Sequence, residues 1–480
     1  MSEDLTFISV HNFKQEHRYM KDQQFDVCIV GAGVVGCTLG HRLGEQGRKV
    51  VVVERDLAEP DKFIGELLQP GGVDALLDLG FPEEMLEQID SPKVSGYALF
   101  KDGRQFNIPY ATVKGKSDIG RGFRYGRFIG KLREHLLRSE NVTLTQGKVT
   151  DLLEDDGRVT GVAYQADGDP GKKEINAALT VVCDGGYSSF RNGLSNTDRE
   201  VKSYMLALLL NDCQLPYPGH GHVFITDTNP FLAYPVTSDS TRMLIDFPAD
   251  APPKKGKELT EYLMTGIRRH LPESMQPAFD EAVRTYPFKA MPSCEIPCDP
   301  IRRNGAVLIG DSLNMRHPIT GGGMTVAFTD VKFLCEILSA LGSFTDHSEL
   351  NTAIERFYDE RHHHTSTINI LANALYRVLS HEELSKACFD YLRKGGRKAS
   401  EPIQLLGGIS SDRNMLLNHF MAVARSGAAK KLIPLPTPSR IREAQGMISD
   451  AIDIIEPQLK NEHFGSAING LVKAGKLVVG

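Results

Sequence analysis

Apolar residues first gather in the run Phe25-Asp26-Val27-Cys28-Ile29-Val30, which stops at Gly31-Ala32-Gly33-Val34-Val35-Gly36. A helix-compatible stretch continues to about Gly47, and a second apolar run, Lys49-Val50-Val51-Val52-Val53, ends at Glu54. Strand, glycine turn, helix and strand in this order predict a parallel βαβ unit. Pro70 to Gly80 predicts a helix with a glycine stop. Tyr97-Ala98-Leu99-Phe100 and Gln105-Phe106-Asn107-Ile108 flank a Lys-Asp-Gly-Arg turn and predict a hairpin.

Farther on, Phe128 to Arg138 carries apolar residues at helical spacing. Val142 to Val162 predicts strands around Asp155-Asp156-Gly157, and Leu179 to Cys183 predicts a buried strand that ends at Asp184-Gly185-Gly186. Between 200 and 300 the runs Tyr204–Leu210, Val223–Thr226, Leu232–Val236 and Arg242–Phe247 predict a more antiparallel unit, with a helix around Leu259–His270. Ala306-Val307-Leu308-Ile309 returns to the parallel-strand style. From Thr320 the pattern is helical, broken at Gly395-Gly396, at Gly407-Gly408 and at Pro434, Pro436 and Pro438.

A chain of 480 residues exceeds one ordinary hydrophobic core, so two or three packed units are expected. Its 41% hydrophobic and 24% charged residues describe a globular protein. The formal net charge of -6 leaves no basic excess for phosphates, so no nucleic-acid partner is expected. Eight cysteines show no framework spacing, and Cys294 and Cys298 lack a second pair to complete a tetrahedral set. No metal site is predicted, and a reducing or cytosol-facing location fits. The triplet His362-His363-His364 reads as a solvated stretch, because adjacent helical residues point apart. The N-terminal MSEDLTFISVHNFKQEHRYMKD is too polar for a signal peptide, and no run of about 18 apolar residues predicts a spanning helix. Met415 to Val423 and Leu471 to Val479 are apolar but short, and suit either a membrane surface or a core helix.

Three stretches carry the candidate chemistry. Gly31, Gly33 and Gly36 match the dinucleotide fingerprint, which seats a pyrophosphate on a helix N-terminus. Glu54, at the end of the second strand, can hydrogen-bond ribose hydroxyls. Cys183-Asp184-Gly185-Gly186-Tyr187-Ser188-Ser189-Phe190-Arg191 resembles the DG motif of flavin monooxygenases. Gly310-Asp311-Ser312-Leu313-Asn314-Met315-Arg316-His317-Pro318 resembles their second FAD-contacting motif, in which an aspartate meets the ribityl chain. A cofactor this long needs polar anchors along its length, which explains why the chain must return to it twice.

The resemblance then becomes specific. Gly65-Glu66-Leu67-Leu68-Gln69-Pro70-Gly71-Gly72, Tyr125-Gly126-Arg127-Phe128 and the run from Asn314 to Val326 are all similar to the squalene epoxidase family, over about residues 24 to 425. It implies an α/β fold with a Rossmann-like FAD-binding domain (24–90, 120–198 and 300–345), an inserted α+β substrate domain (91–119 and 199–299) and a helical C-terminal region (346–480). It also implies epoxidation of squalene to (S)-2,3-oxidosqualene with O2, bound FAD and electrons from an NADPH-dependent cytochrome reductase. The implied location is the cytosol-facing endoplasmic reticulum membrane. Arg425, Lys430, Lys431, Arg440, Arg442, Glu443 and the run Glu456 to Glu462 make the C-terminal end more polar than the family's hydrophobic anchor.

Carried over by position, the resemblance places FAD on Val34, Val35, Glu54, Arg55, Arg127, Asp311 and Met324, with a backbone contact at Val142. Lys62 stands where the family usually has arginine, which keeps the charge and loses the forked geometry. Tyr97 and Gln69 are implied as a polar pair beside the flavin. Leu375, Leu379, Phe389, Leu392, Pro402, Leu405, His419 and Phe420 are implied around an apolar tunnel, and relatives often carry phenylalanine at Leu379 and Leu392. Rival readings are another single-component flavoprotein hydroxylase, a prenyl reductase, or a non-catalytic flavoprotein that acts as a binding module.

Overall fold

The structure is a computed structural model that describes residues 24–63, 65–285 and 287–464. The N-terminal segment and the stretch Leu471 to Val479 therefore lie outside the described residues.

The expected βαβ unit forms the centre of a six-stranded sheet. Gln24–Val30 pairs in parallel with Val50–Glu54 on one side and with Lys172–Val182 on the other. Val142–Asp155 and Ala306–Leu308 extend the parallel set outward, and Arg158–Ala166 joins it antiparallel. The register decides where the site lies. Val30 is opposite both Val53 and Val182, Val182 is opposite Leu308, and Glu54 is opposite Gln146. The strands' carboxyl ends thus share one edge, where open α/β sheets bind ligands. Val27, Cys28, Ile29 and Val50 to Val53 are buried, as a sheet covered on both faces requires.

A second sheet of seven strands orders as Lys289–Glu295, Glu200–Asn211, Ser240–Pro248, Phe231–Pro235, Gly221–Phe224, Gly96–Lys101 and Arg104–Pro109. All pairings are antiparallel except Gly221–Phe224 with Gly96–Lys101. Alternation along Glu200–Asn211 sends Leu206, Leu208 and Leu210 to one face, where they pack with Leu259, Leu263 and Phe279. Met205 and Ala207 face the other side with Tyr97, Leu232 and Leu244, against Ile319, Leu379, Phe389 and Ile403. This second face meets the C-terminal helices, and the apolar cavity forms between them.

Those helices are His347–Glu360, His362–Leu379, Glu382–Leu392, Arg397–Leu406, Arg413–Lys431 and Pro438–Asn461. Their breaks fall at the expected residues. Gly396 leads into one helix, Gly407 ends it, and Pro438 opens the last. Not all of the polar residues at this end face solvent, because Gln458 and Glu462 are buried. Among the described residues no helix is long and apolar enough to cross a membrane.

Candidate active site

The glycine fingerprint forms a tight cradle. Gly31 adopts φ +105, and a Cβ at Gly36 would lie 1.8 Å from the Gly31 carbonyl oxygen. A Cβ at Gly33 would meet nothing within 4 Å, so the approach to the backbone there is open. The helix Val34–Glu45 begins at Gly33 with no side-chain cap and no acid in its first turn. Its first N–H groups and the helix dipole therefore suit an anion. The helix Gly323–Ser339 starts in the same way at Gly322, and Arg316 of the second motif donates to the Gly323 carbonyl at 3.3 Å. Two uncapped helix ends on one sheet edge fit a dinucleotide, and they fit FAD.

Glu54 does more than wait for a ribose. Its Oε2 accepts the Ala32 N–H at 2.7 Å and its Oε1 accepts the Asp56 N–H at 3.1 Å, so it also locks the glycine loop. A carboxylate retains further lone pairs for hydroxyls after such bonds. Arg55, Lys62, Arg127 and Asp311 are exposed, Val34 is half-buried, and Val35 and Met324 are buried; the charge of Arg127 acts on Asp239 beside the second sheet. The Lys62 ammonium lies 5.5 Å from the Tyr125 ring centre. Val142 is not brought to this edge. It pairs with Val50 at the far end of its strand, and Gln146 is the residue opposite Glu54. The alternation of a strand hides which end a residue occupies until the register is known.

Two arginines hold the cradle together, Arg133 without any sequence signal and Arg191 at the end of the DG-like motif. Arg133 donates from Nε to the Ala32 carbonyl at 3.1 Å and from its terminal nitrogens to Asp56, Leu57 and Ala58 carbonyls at 3.2, 2.9 and 3.2 Å. Arg191 donates to Ser312, Gly186 and Asp311 carbonyls at 3.0, 3.1 and 3.2 Å, so it ties the two flavin-type motifs to each other. Tyr125 stands among Asp311, Glu54 and Arg133, and burial pushes its phenol well up.

The second sheet is fastened to the same place. Buried Arg242 donates from Nε to Glu66 Oε2 at 2.6 Å, linking that sheet to the Gly65–Gly72 segment. His317 accepts the Ile319 N–H on Nδ1, which leaves Nε2 to donate to Ser203 Oγ at 2.9 Å. Its ring stacks on Tyr376 at 3.8 Å.

Gln69 and Tyr97 meet as expected. Gln69 Nε2 donates to the Tyr97 hydroxyl at 2.6 Å and to the Thr320 carbonyl at 2.6 Å. Tyr110, not expected from the sequence, donates to Gln69 Oε1. Tyr97 lines two cavities. The larger holds about 1210 Å³ of empty space, part of it open to solvent. Leu375, Leu379, Leu392, Pro402, Leu405, His419 and Phe420 line it. Phe389 does not. Its ring packs behind the wall, 5.0 Å from the Phe106 ring and under the Arg104 guanidinium. The smaller cavity, about 420 Å³, runs along Gly65, Glu66, Pro318 and Gly321. Tyr97, Leu232 and Ile319 belong to both.

The larger cavity is almost wholly apolar, with a polar closure at His419. Its Nδ1 lies 2.9 Å from the Tyr391 hydroxyl and its Nε2 lies 2.6 Å from Glu401. Arg397 and then His419 hold the Glu401 carboxyl below the usual range. Among the described residues no cluster of His, Cys, Asp and Glu could hold a metal ion, and all eight cysteines are free thiols.

Known proteins share these features. A family model described as squalene epoxidase matches residues 176–442, and one for FAD-dependent oxidoreductases matches residues 26–65. The chain is 43% identical over 445 residues to squalene epoxidase 3 of Arabidopsis thaliana, covering 91% of this chain and 84% of that one. It is 37% identical over 457 residues to squalene epoxidase erg1 of Schizosaccharomyces pombe, covering 92% and 99%. Among solved structures, the flavin-dependent brominase Bmp2 superimposes with a TM-score of 0.66 at 17% identity, over 84% of this chain and 98% of that chain. At that identity the likeness speaks for the fold.

Proposed function

The chain belongs to the squalene epoxidase family, and from that membership we propose that the cavity ending at Tyr97 holds squalene for oxygen transfer. The protein is an FAD-dependent monooxygenase that epoxidises squalene in sterol biosynthesis. One atom of O2 enters the terminal alkene and the other leaves as water, which consumes two electrons and two protons. When bound, FAD carries those electrons to O2 and renders one oxygen electrophilic.

The protein's own residues do the rest. Gly31, Gly33 and Gly36 would seat the pyrophosphate on the helix Val34–Glu45, with Glu54 and Arg55 toward the adenosine. Asp311 would meet the ribityl chain, and Met324 would lie under the ring system at the start of its helix. Squalene has no ionisable group, so no base needs to act on it. Its affinity comes from apolar burial, roughly 25 cal/mol per Å². Leu375, Leu379, Leu392 and Phe420 hold the chain and exclude water that would divert the oxygen. The observation that carries this reading is the sharing of Tyr97, Leu232 and Ile319 by both cavities, which leads an apolar chain from the helices to the flavin-type motifs.

Two partners complete the reading. An NADPH-dependent cytochrome reductase supplies the electrons, as the family resemblance implies. The protein attaches peripherally to the cytosolic face of the endoplasmic reticulum membrane. Support for the second comes from Ile433 and Leu435, 69% and 70% exposed between the last two helices. Lys430, Lys431 and Arg440 flank them, an arrangement suited to an anionic lipid surface.

The test is turnover. The purified holoenzyme with NADPH and a cytochrome reductase should convert squalene to its 2,3-epoxide, and Tyr97→Phe should lower that rate while flavin stays bound. A flavin-loaded protein that leaves squalene unchanged would refute the reading.

A further inference from the structure

We propose that Tyr110 is a positioning residue for this reaction: it closes a one-way hydrogen-bond chain that makes the Tyr97 hydroxyl a dedicated donor at the junction of the two cavities. The inference rests on the squalene-epoxidising reading and names a further residue of that site.

The direction of the chain follows from its fixed ends. The Thr320 carbonyl can only accept, so the Gln69 side chain must turn its amide nitrogen toward it. The opposite amide orientation would set two acceptors 2.6 Å apart. Gln69 Oε1 therefore faces Tyr110, whose hydroxyl must donate to it. The same amide nitrogen donates its second hydrogen to the Tyr97 oxygen, at 2.6 Å. Tyr97 is thus an acceptor from the protein, and its own proton remains to be given. Burial raises the phenol pKa of both Tyr97 and Tyr110 above the ordinary value, so each keeps its proton at neutral pH.

The two tyrosine rings meet edge to face at 6.0 Å, and each hydroxyl acts on the other's titration, so the two oxygens are neighbours at this junction. An oxygen acceptor that enters the junction can receive the Tyr97 proton in a hydrogen bond. Tyr97 lines both cavities, so the proton is available from either. Aligned hydrogen bonds polarise one another, by roughly 10–30% per bond. Donation by Tyr110 strengthens the Gln69 N–H, which in turn strengthens the Tyr97 O–H as a donor.

Tyr110 itself is held firmly. Its N–H donates to the Ser95 carbonyl at 2.8 Å, and its ring fills the space beside Gly407, where a Cβ would lie 3.1 Å away. Gly407 in turn accepts the Gly71 N–H at 2.8 Å, two residues beyond Gln69. The C-terminal helical layer thus braces the tyrosine and the glutamine at once.

A double-mutant cycle on the holoenzyme, with reductase and NADPH, tests the assignment. Tyr110→Phe should lower kcat for squalene by about tenfold, the size of one lost hydrogen bond. KM should stay within about twofold, because the apolar wall is intact. The release of hydrogen peroxide per NADPH should rise. On a Tyr97→Phe background the same change should cost less than about twofold more, since the donor it serves is already gone. Equal losses on both backgrounds, or an unchanged kcat in Tyr110→Phe, would overturn the proposal. Gln69→Leu cuts the same chain and should show the same non-additivity, which covers the case in which Tyr110→Phe folds poorly. Wild-type holoenzyme that makes no epoxide refutes the underlying reading instead. In that event the flavin absorption spectrum of the four proteins still reads the cycle, and additive shifts overturn the assignment.

Discussion

Replacing Glu462 by glutamine offers a quantitative test of how the C-terminal helices are held to the flavin-type motif. Glu462 follows the helix Pro438–Asn461 and is only 6% exposed. Arg361, Arg316, Asp330 and Asn369 surround it, and Arg316 belongs to the motif that opens at Gly310. Arg361 is already engaged with Asp330 at 3.0 and 2.7 Å through two parallel bonds. Burial is the largest influence on Glu462 and outweighs the arginines, lifting its carboxyl from 4.5 to about 7.

The consequence for stability has a definite sign. In the folded state the carboxyl holds its proton up to about pH 7, whereas in the unfolded chain it loses it near 4.5. The stabilising contribution is therefore complete below pH 4.5 and is lost as pH rises through 7. A difference of 2.5 pH units (7 minus 4.5), at about 1.4 kcal/mol each, gives roughly 3–4 kcal/mol. Glu462→Gln keeps the shape and cannot titrate. Hydrogen exchange of the Pro438–Asn461 amides reads the local opening free energy between pH 5 and 8. Wild type should lose protection across that window, by an amount approaching 3 kcal/mol relative to the variant. Parallel pH profiles would refute the argument. Such flat profiles would show that the two arginines prevail over burial and keep the carboxyl ionised throughout the window.

Two further outcomes follow from single contacts. Gly36→Ala would place a methyl group 1.8 Å from the Gly31 carbonyl oxygen, so the purified variant should lose most of its flavin absorbance. Full flavin occupancy would mean that the cradle can open. Replacing Ile433 and Leu435 together by serine should reduce flotation with anionic vesicles several-fold, since each apolar side chain contributes roughly 1.5–3 kcal/mol on burial. Unchanged flotation would remove that tip from the membrane contact.

Much of the fold and part of the site were legible before any coordinates. The run Phe25–Val30, the glycine triplet and Glu54 announce a βαβ unit because strand, turn and helix each have a local period. Gly396, Gly407 and Pro438 mark helix ends for the same reason. The tunnel residues were legible through resemblance alone, since leucines on helices look like any core. Phe389 shows the cost of that route: it lies on the correct helix but turns toward Phe106, behind the cavity wall. Val142 shows another, because periodicity within a strand says nothing of which end meets the cofactor edge.

Local sequence thus determined the parallel unit, the cofactor fingerprint, the helical C-terminal region and the family. Hydrogen-bonding ends, apolar spacing and turn conformations are properties of neighbouring residues. Only the tertiary structure decided which polar groups share one site. Gln69 reaches Thr320 across 251 residues, Arg191 reaches Ser312 across 121, and Tyr110 finds Gln69 across 41. Such pairings depend on how two sheets and a helical layer close on one another, and a hydrogen bond has no signature until its partner is in place.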